Sequence, residues 1–267
     1  MRFRGDSNPI DGRGMDGALA ELDVDAIDLW TVIGVETSGC GYLPDQRIKI
    51  LFERHKFSKE TGGRFDRDHS DISNPNQGGY GAAGAAQYQR LTRAMGLDRA
   101  AALRSASWGL GQVMGFNAEL VGYRDVEEMI GAMAESENHQ VVAMARYIVS
   151  TELAGALRSH DWVRFARGYN GENYTKNKYD TLLASEYSKL ERRGLPDLVL
   201  RAAQTYLTFL GYDARGIDGL MGKYTRSAMQ QFQADCGMPA TEHLDDSTFE
   251  RLKLQRQRRR PPPDQEI

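Results

Sequence analysis

From Asp25 onward, Ile27, Trp30 and Ile33 with Gly34 recur at steps of three and four behind Asp23 and Asp25 as candidate caps. That spacing predicts a helix of about three turns with one apolar face. Ser38-Gly39-Cys40-Gly41 follows, and glycines commonly end helices in the left-handed conformation, so the helix is expected to stop near Thr37 with Glu36 in its last turn. The period then changes to two. Ile48, Ile50 and Phe52 alternate with Lys49, Leu51 and Glu53, which predicts a short strand or extended segment at the surface, with helix as the alternative. The stretch from Gly62 to Gly84 is rich in Gly, Asp, Asn and Ser and contains Asn74-Pro75-Asn76; it reads as a long loop, of the kind that lines sites in enzymes. Helical spacing returns from Ala85 to Met95, and more strongly from Val126 to Leu157 through Met129, Ile130, Met133, Val141, Met144, Ala145 and Ile148, so the first unit is mainly helical. Ahead of it, residues 1–22 show no period until Ala18-Leu19-Ala20 and read as a mobile arm ending in a short helical turn.

Around Lys189-Leu190-Glu191-Arg192-Arg193-Gly194-Leu195-Pro196 charge, glycine and proline interrupt the pattern. A first domain over 23–189, a linker over 190–196 and a second domain over 197–255 follow from that break. The second unit carries helical spacing over 197–210, 223–235 and 246–254, and about 60 residues suffice for three packed helices. From residue 256 to 267 the chain is basic and proline-rich and is expected to be disordered.

Composition changes this picture little. With 267 residues, 40% apolar and 27% charged, the chain is long enough for two cores and lies far from membrane or disordered compositions. A net charge of −3 names no partner. Cys40 and Cys236 fall in different domains, so no disulfide framework is expected and a reducing compartment fits. Neither a signal-peptide pattern nor a membrane span is read from the residues, and a monomer is expected. The five histidines, His55, His69, His139, His160 and His243, lack ligand spacing, and no Lys-Ser or Lys-Thr follows Gly78-Gly79-Tyr80-Gly81-Ala82-Ala83-Gly84. No metal and no cofactor are therefore expected.

Glu36 is the candidate for chemistry. A carboxylate at a helix C-terminus meets the negative end of the macrodipole, and Trp30, Ile33 and Val35 are near in sequence; both conditions favour the neutral acid. A general acid for glycosidic cleavage needs that property, although a solvated surface Glu has the same local pattern. Trp108 and Trp162 are read as buried aromatics ahead of sugar platforms.

Three blocks in order carry a resemblance. Val35-Glu36-Thr37-Ser38, Ser107-Trp108-Gly109-Leu110-Gly111-Gln112-Val113-Met114 and Phe165-Ala166-Arg167-Gly168-Tyr169-Asn170-Gly171 resemble the catalytic Glu, Gly-Leu-Met-Gln and Ala-Tyr-Asn blocks of the lysozyme-like superfamily. With Ile50-Leu51-Phe52-Glu53-Arg54-His55, residues 23–188 look specifically like the N-acetylmuramidase domain of phage lysins. Gly111 stands where lytic transglycosylases usually carry Met, and Gly115 where they usually have Pro. The C-terminal unit, through Ala203-Gln204-Thr205-Tyr206-Leu207, Ile217-Asp218-Gly219-Leu220-Met221-Gly222-Lys223-Tyr224-Thr225 and Phe232-Gln233, resembles the small three-helix peptidoglycan-binding domain.

The resemblance implies a mainly α protein, a lysozyme-like catalytic domain followed by a peptidoglycan-binding module. It implies a hydrolase cutting the β-1,4 bond between N-acetylmuramic acid and N-acetylglucosamine, with Glu36 as general acid and Ser107, Gln112, Tyr169 and Asn170 at the substrate. Glu53 is the first choice for a second carboxylate, against an ion pair with neighbouring Arg54, and Asp66, Asp68 and Asp71 are alternatives. Asp218, Gly219, Gly222 and Thr225 mark the module, either as contacts to wall or as residues that build its fold. A lytic transglycosylase and a non-catalytic wall-binding protein are the competing readings. As in phage lysins, residence in the host cytoplasm until a separate membrane-permeabilising protein opens the way is expected, with peptidoglycan as partner. The run from Arg251 to Arg260, six basic residues in ten, fits anionic outer-membrane lipid or wall polymer or a plain solvated tail; no nucleic-acid partner is expected.

Overall fold

A computed structural model describes residues 3–36 and 39–259. Helix α1 (Gly12–Leu22) begins where Asp11 accepts hydrogen bonds from the backbone N–H groups of Arg13 and Gly14, and ends at Asp23 in the left-handed conformation. Its buried Met15, Ala18 and Leu22 recur at three and four residues. The expected mobile arm is therefore a folded part of the first unit. The helical period in 12–22 is diluted by glycines that local pattern reads as loop; Gly14 is instead a close approach, since a Cβ there would lie 2.9 Å from the Cα of Asn138.

Helix α2 (Ala26–Glu36) buries Leu29, Trp30, Val32 and Ile33 and ends at Glu36; Gly39 has φ +101°. Strand β1 (Ile50–Phe52) leads into α3 (Arg54–Glu60). After a long segment of turns come α4 (Ala86–Leu97), α5 (Arg99–Arg104), β2 (Ala106–Trp108) and β3 (Val113–Met114). The three strands form an antiparallel sheet in the order β1-β2-β3, with Leu51 opposite Ser107 and Ser107 opposite Met114. The predicted alternation holds: Ile48, Ile50 and Phe52 go into the core. Leu51, Ser107 and Met114, paired across the sheet, line the cleft described below. Trp108 is fully buried, stacked on Phe3 with centroids 5.8 Å apart, and its indole N–H donates to the Leu103 carbonyl.

The first unit is completed by α6 (Val126–Glu135), α7 (Glu137–Ser150), α8 (Ala154–Arg158), α9 (Trp162–Asn170) and α10 (Tyr179–Arg193). One core lies under the sheet around Phe52, Phe57, Trp108 and Ile130; a second, around Trp30, Leu110, Met144, Phe165 and Leu183, joins α2 to α7, α9 and α10.

The second unit is α11 (Leu198–Leu210), α12 (Lys223–Asp235) and α13 (Asp246–Arg258), closed on Ala203, Leu207, Met229, Phe232 and Leu252. Helix α13 continues past the expected start of the tail. Arg256 is buried, one turn beyond Leu252, with its guanidinium 6.0 Å from the Tyr206 ring centroid, because a long side chain packs its stem while the pattern registers only its charge. The rest of the expected tail, residues 260–267, lies outside the described residues. Among the described residues no helix is long and apolar enough to cross a membrane.

Candidate active site

An open cleft of about 850 Å³ runs between the sheet, the 77–84 loop, α7 and the α9–α10 region. Glu36, Glu53, Ser107, Gln112, Tyr169 and Asn170 all line it. Helix α2 brings Glu36 to it in its final turn, where the carboxyl accepts a 2.9 Å hydrogen bond from the Asn170 side-chain amide. Burial pushes the Glu36 pKa up to about 7, against the opposing hydrogen bond from Asn170. The C-terminal end of the helix works in the same direction as burial. Asn170 is the last residue of α9, and its Oδ1 is buried without a partner.

Tyr169 holds the glycine block rather than projecting freely. Its hydroxyl donates to the Gly111 carbonyl at 2.7 Å, and its ring stacks on Phe165 and meets Tyr147 edge-on. The Gln112 amide is also engaged within the protein: Oε1 accepts from Ser107 Oγ at 2.8 Å, and Nε2 donates to the Gly109 carbonyl at 2.9 Å. With φ at +47°, Gln112 closes the β2–β3 turn. Ser107 and Gln112 thus shape one wall of the cleft through each other.

Gly111 explains its own departure from the transglycosylase pattern. A Cβ there would lie 2.5 Å from Cβ of Met144 on α7, so a methionine from that helix occupies the space that a side chain at 111 would need. Gly111→Met is expected to lower stability by about 1–3 kcal/mol through overpacking, and Met144→Ala in the same chain to restore part of it. Denaturant midpoints of the single and double variants measure this; a single variant as stable as the parent would show that the space is free.

Glu53 precedes α3 and faces the cleft. Its Oε2 lies 3.3 Å from Nδ1 of His55, and burial raises its pKa, with Lys56 opposing. The expected alternative, an ion pair with Arg54, is not what the side chains do: Arg54 lies against Gly79 and reaches the Ser70 carbonyl. Asp66 is bound by Ser58 and Ser73, Asp68 pairs with Arg67, and Asp71 pairs with Arg93; none of the three lines the cleft.

The structure adds residues that the local pattern did not single out, including Lys49, Tyr80, Tyr147, Tyr174 and Tyr179 on the cleft walls. Tyr80 belongs to the glycine-rich loop, which is tied down where the Gln87 amide donates to the Tyr80 and Ala82 carbonyls. The loop's composition was the available signal. Trp162 stacks on His160 and meets Tyr187 at a tilt, and it does not line the cleft. Among the described residues no cluster of His, Cys, Asp or Glu is arranged to hold a metal ion.

In the second unit one side chain organises the singled-out residues. Gln204 donates to Asp218, to the Leu220 carbonyl and to Thr225, and accepts from the Gly219 N–H. Gly219, at φ +69°, also packs where a Cβ would lie 2.8 Å from the Asp197 carbonyl oxygen. Gly222 precedes α12 in an extended conformation. Asp218, Gly219 and Thr225 are thus held together through Gln204 in the turn before α12.

Comparison with known proteins identifies the family. A search of curated proteins finds no match to the chain. Among solved structures, the crystal structure of Burkholderia AP3 phage endolysin is similar at 36% identity and TM-score 0.62, over 68% of this chain and 72% of that one. The model of the peptidoglycan binding domain matches residues 199–252, which gives peptidoglycan as the partner of the second unit. The N-acetylmuramidase model matches residues 25–191, more than half of the chain and all of the cleft's lining, and the chain accordingly belongs to the N-acetylmuramidase family of glycoside hydrolases.

Proposed function

We propose that this protein is an endolysin that hydrolyses the β-1,4 bond between N-acetylmuramic acid and N-acetylglucosamine, with Glu36 as its general acid. The observation that carries this is a carboxyl at the cleft's edge that burial holds protonated up to about pH 7. Glu36 gives its proton to the bridging oxygen as the bond to the muramic anomeric carbon breaks and oxocarbenium character develops there. Water adds to that carbon and releases a proton. Glu53, on the same cleft, accepts it, and the reducing muramic product departs. Asn170 donates to the carboxylate left behind on Glu36, and its unpartnered Oδ1 is an acceptor for a substrate N–H or O–H.

A hydrolase acting this way yields reducing N-acetylmuramic ends, whereas a lytic transglycosylase yields 1,6-anhydro ends and needs no second carboxylate. Mass spectrometry of fragments released from purified peptidoglycan separates the two. Glu53→Gln is expected to lower kcat on the order of 10²-fold with reducing ends unchanged in kind. Wild-type turnover by that variant would remove Glu53 from the mechanism. The similarity to a phage endolysin supports storage in the host cytoplasm and release to the wall by a separate membrane-permeabilising protein. A monomer, and attraction of the basic C-terminal residues to anionic outer-membrane lipid, remain part of this reading.

A further inference from the structure

The two units share a buried ion pair. Arg201, on α11 of the peptidoglycan-binding module, is 1% exposed, and Glu137, the first residue of α7, is fully buried. Arg201 Nη1 lies 2.6 Å from Oε2 of Glu137, and Nη2 lies 3.1 Å from Oε1. The same Nη2 donates to the Gly39 carbonyl at 2.6 Å. Glu137 in turn accepts the Gly41 N–H at 2.8 Å and the Ile10 N–H at 2.9 Å. Burial disfavours its charge, but Arg201 and the Gly41 and Ile10 N–H groups together hold the carboxyl below its ordinary range.

Two backbone groups in this network belong to Gly39 and Gly41, three and five residues beyond Glu36. Gly39 is doubly constrained: φ is +101°, and a Cβ would lie 2.5 Å from the carbonyl oxygen of the module's Ile217. One turn along α7, Gln140 accepts the Leu110 N–H at 2.7 Å and donates to the Met133 carbonyl. The same end of α7 therefore supports both the segment after Glu36 and the glycine block to which Tyr169 is bonded. A charge pair this deep depends on the hydrogen bonds around it: both Glu137 oxygens and both Arg201 Nη groups are engaged, Arg201 Nε alone is buried without a partner, and the module supplies half of the pair.

We infer that Arg201 is a positioning residue for the hydrolase reaction: the module is a fixed support of the active site, clamping the Gly39–Gly41 segment beneath the Glu36 end of α2, as well as a wall anchor. This rests on the reading of Glu36 as the acid. A displacement of about 1 Å in a catalytic group costs as much as 10²-fold in rate, so the clamp acts on turnover even where wall affinity is irrelevant.

The test is steady-state kinetics of the full chain on soluble, uncrosslinked glycan strands, with wall sedimentation measured alongside. Arg201→Met is expected to lose ~10- to 100-fold in kcat with little change in KM and with wall sedimentation retained. Arg201→Lys, which keeps the charge but not the fork that reaches Glu137 and Gly39 together, is expected to recover part of the loss. If Arg201→Met does not fold, Arg201→Lys decides alone, by a reduced kcat at parental KM. Parental kcat in a folded Arg201 variant, or a change confined to KM, would overturn the clamp. Glu36→Gln run in parallel keeps the two ideas apart: its activity would refute the acid assignment, whereas its silence beside an unimpaired Arg201→Met would refute the clamp alone.

Discussion

Glu36→Gln is expected to abolish glycan cleavage, with a loss in kcat of at least about 10²–10⁴-fold, while raising the stability of the protein above neutral pH. The first effect follows from removing the carboxylic acid proton that Glu36 holds beside Asn170 in the cleft. The second follows from where that proton is held. A pKa of about 7, against an ordinary 4.5, penalises the ionised form by up to roughly 3 kcal/mol. Because the folded-state pKa is the higher one, the group's contribution is fully present below the unfolded value and is lost as pH rises from about 4.5 through about 7. Glutamine carries no such penalty. The variant's Tm should therefore exceed the parent's at pH 8, with the gap closing toward pH 4.5. The same titration makes the parent's kcat/KM fall as pH rises through about 7. A variant with parental turnover would remove Glu36 from the chemistry. A Tm difference independent of pH would show that its carboxyl titrates in the ordinary range.

Trp108→Ala is expected to cost about 3–5 kcal/mol, the range for emptying a buried aromatic site. The ring is fully buried, stacked on Phe3, and its N–H occupies the Leu103 carbonyl, so the change leaves both a cavity and a buried carbonyl without its donor. Its backbone belongs to β2, pairing with Ile50 on one side and Val113 on the other. Loosening it disturbs the strand that presents Ser107 to Gln112. Denaturant unfolding should show the loss directly, and activity measured well below Tm should fall further than the unfolded fraction explains. An unfolding midpoint equal to the parent's would mean that the ring does not hold the sheet; a full loss of activity with unchanged stability would make it a sugar platform instead.

Much of the cleft was legible because its determinants are local. Glu36 is placed in a last turn by apolar spacing on α2 and by the glycines that follow. Leu51 is set on the opposite face from Ile50 and Phe52 by the alternation of a strand. The Gly-rich composition of 78–84 marks the loop that presents Tyr80. Other assignments stopped at the chain's own pattern. The resemblance placed Gln112 at the substrate, and what the local pattern does not show is that its side chain also closes the β2–β3 turn. The 1–22 segment looked unstructured, because glycine dilutes helical periodicity while also permitting the close approach of α1 to Asn138. Arg256 counted as part of a charged tail, although its stem and guanidinium pack against Tyr206.

The sequence by itself determined which residues lie on apolar faces, where helices and turns end, and which side chains have the chemistry for acid catalysis. Those properties depend on neighbours within a few positions. Only the tertiary structure decided that Asn170, 134 positions away, grips Glu36, that Met144 fills the space beside Gly111, and that Arg201 reaches 64 positions back to Glu137. The physical reason is that a raised pKa, a filled cavity and a paired buried charge are all measures of lost water. Water is excluded only where remote apolar faces meet, and the pattern on one face does not name its partner.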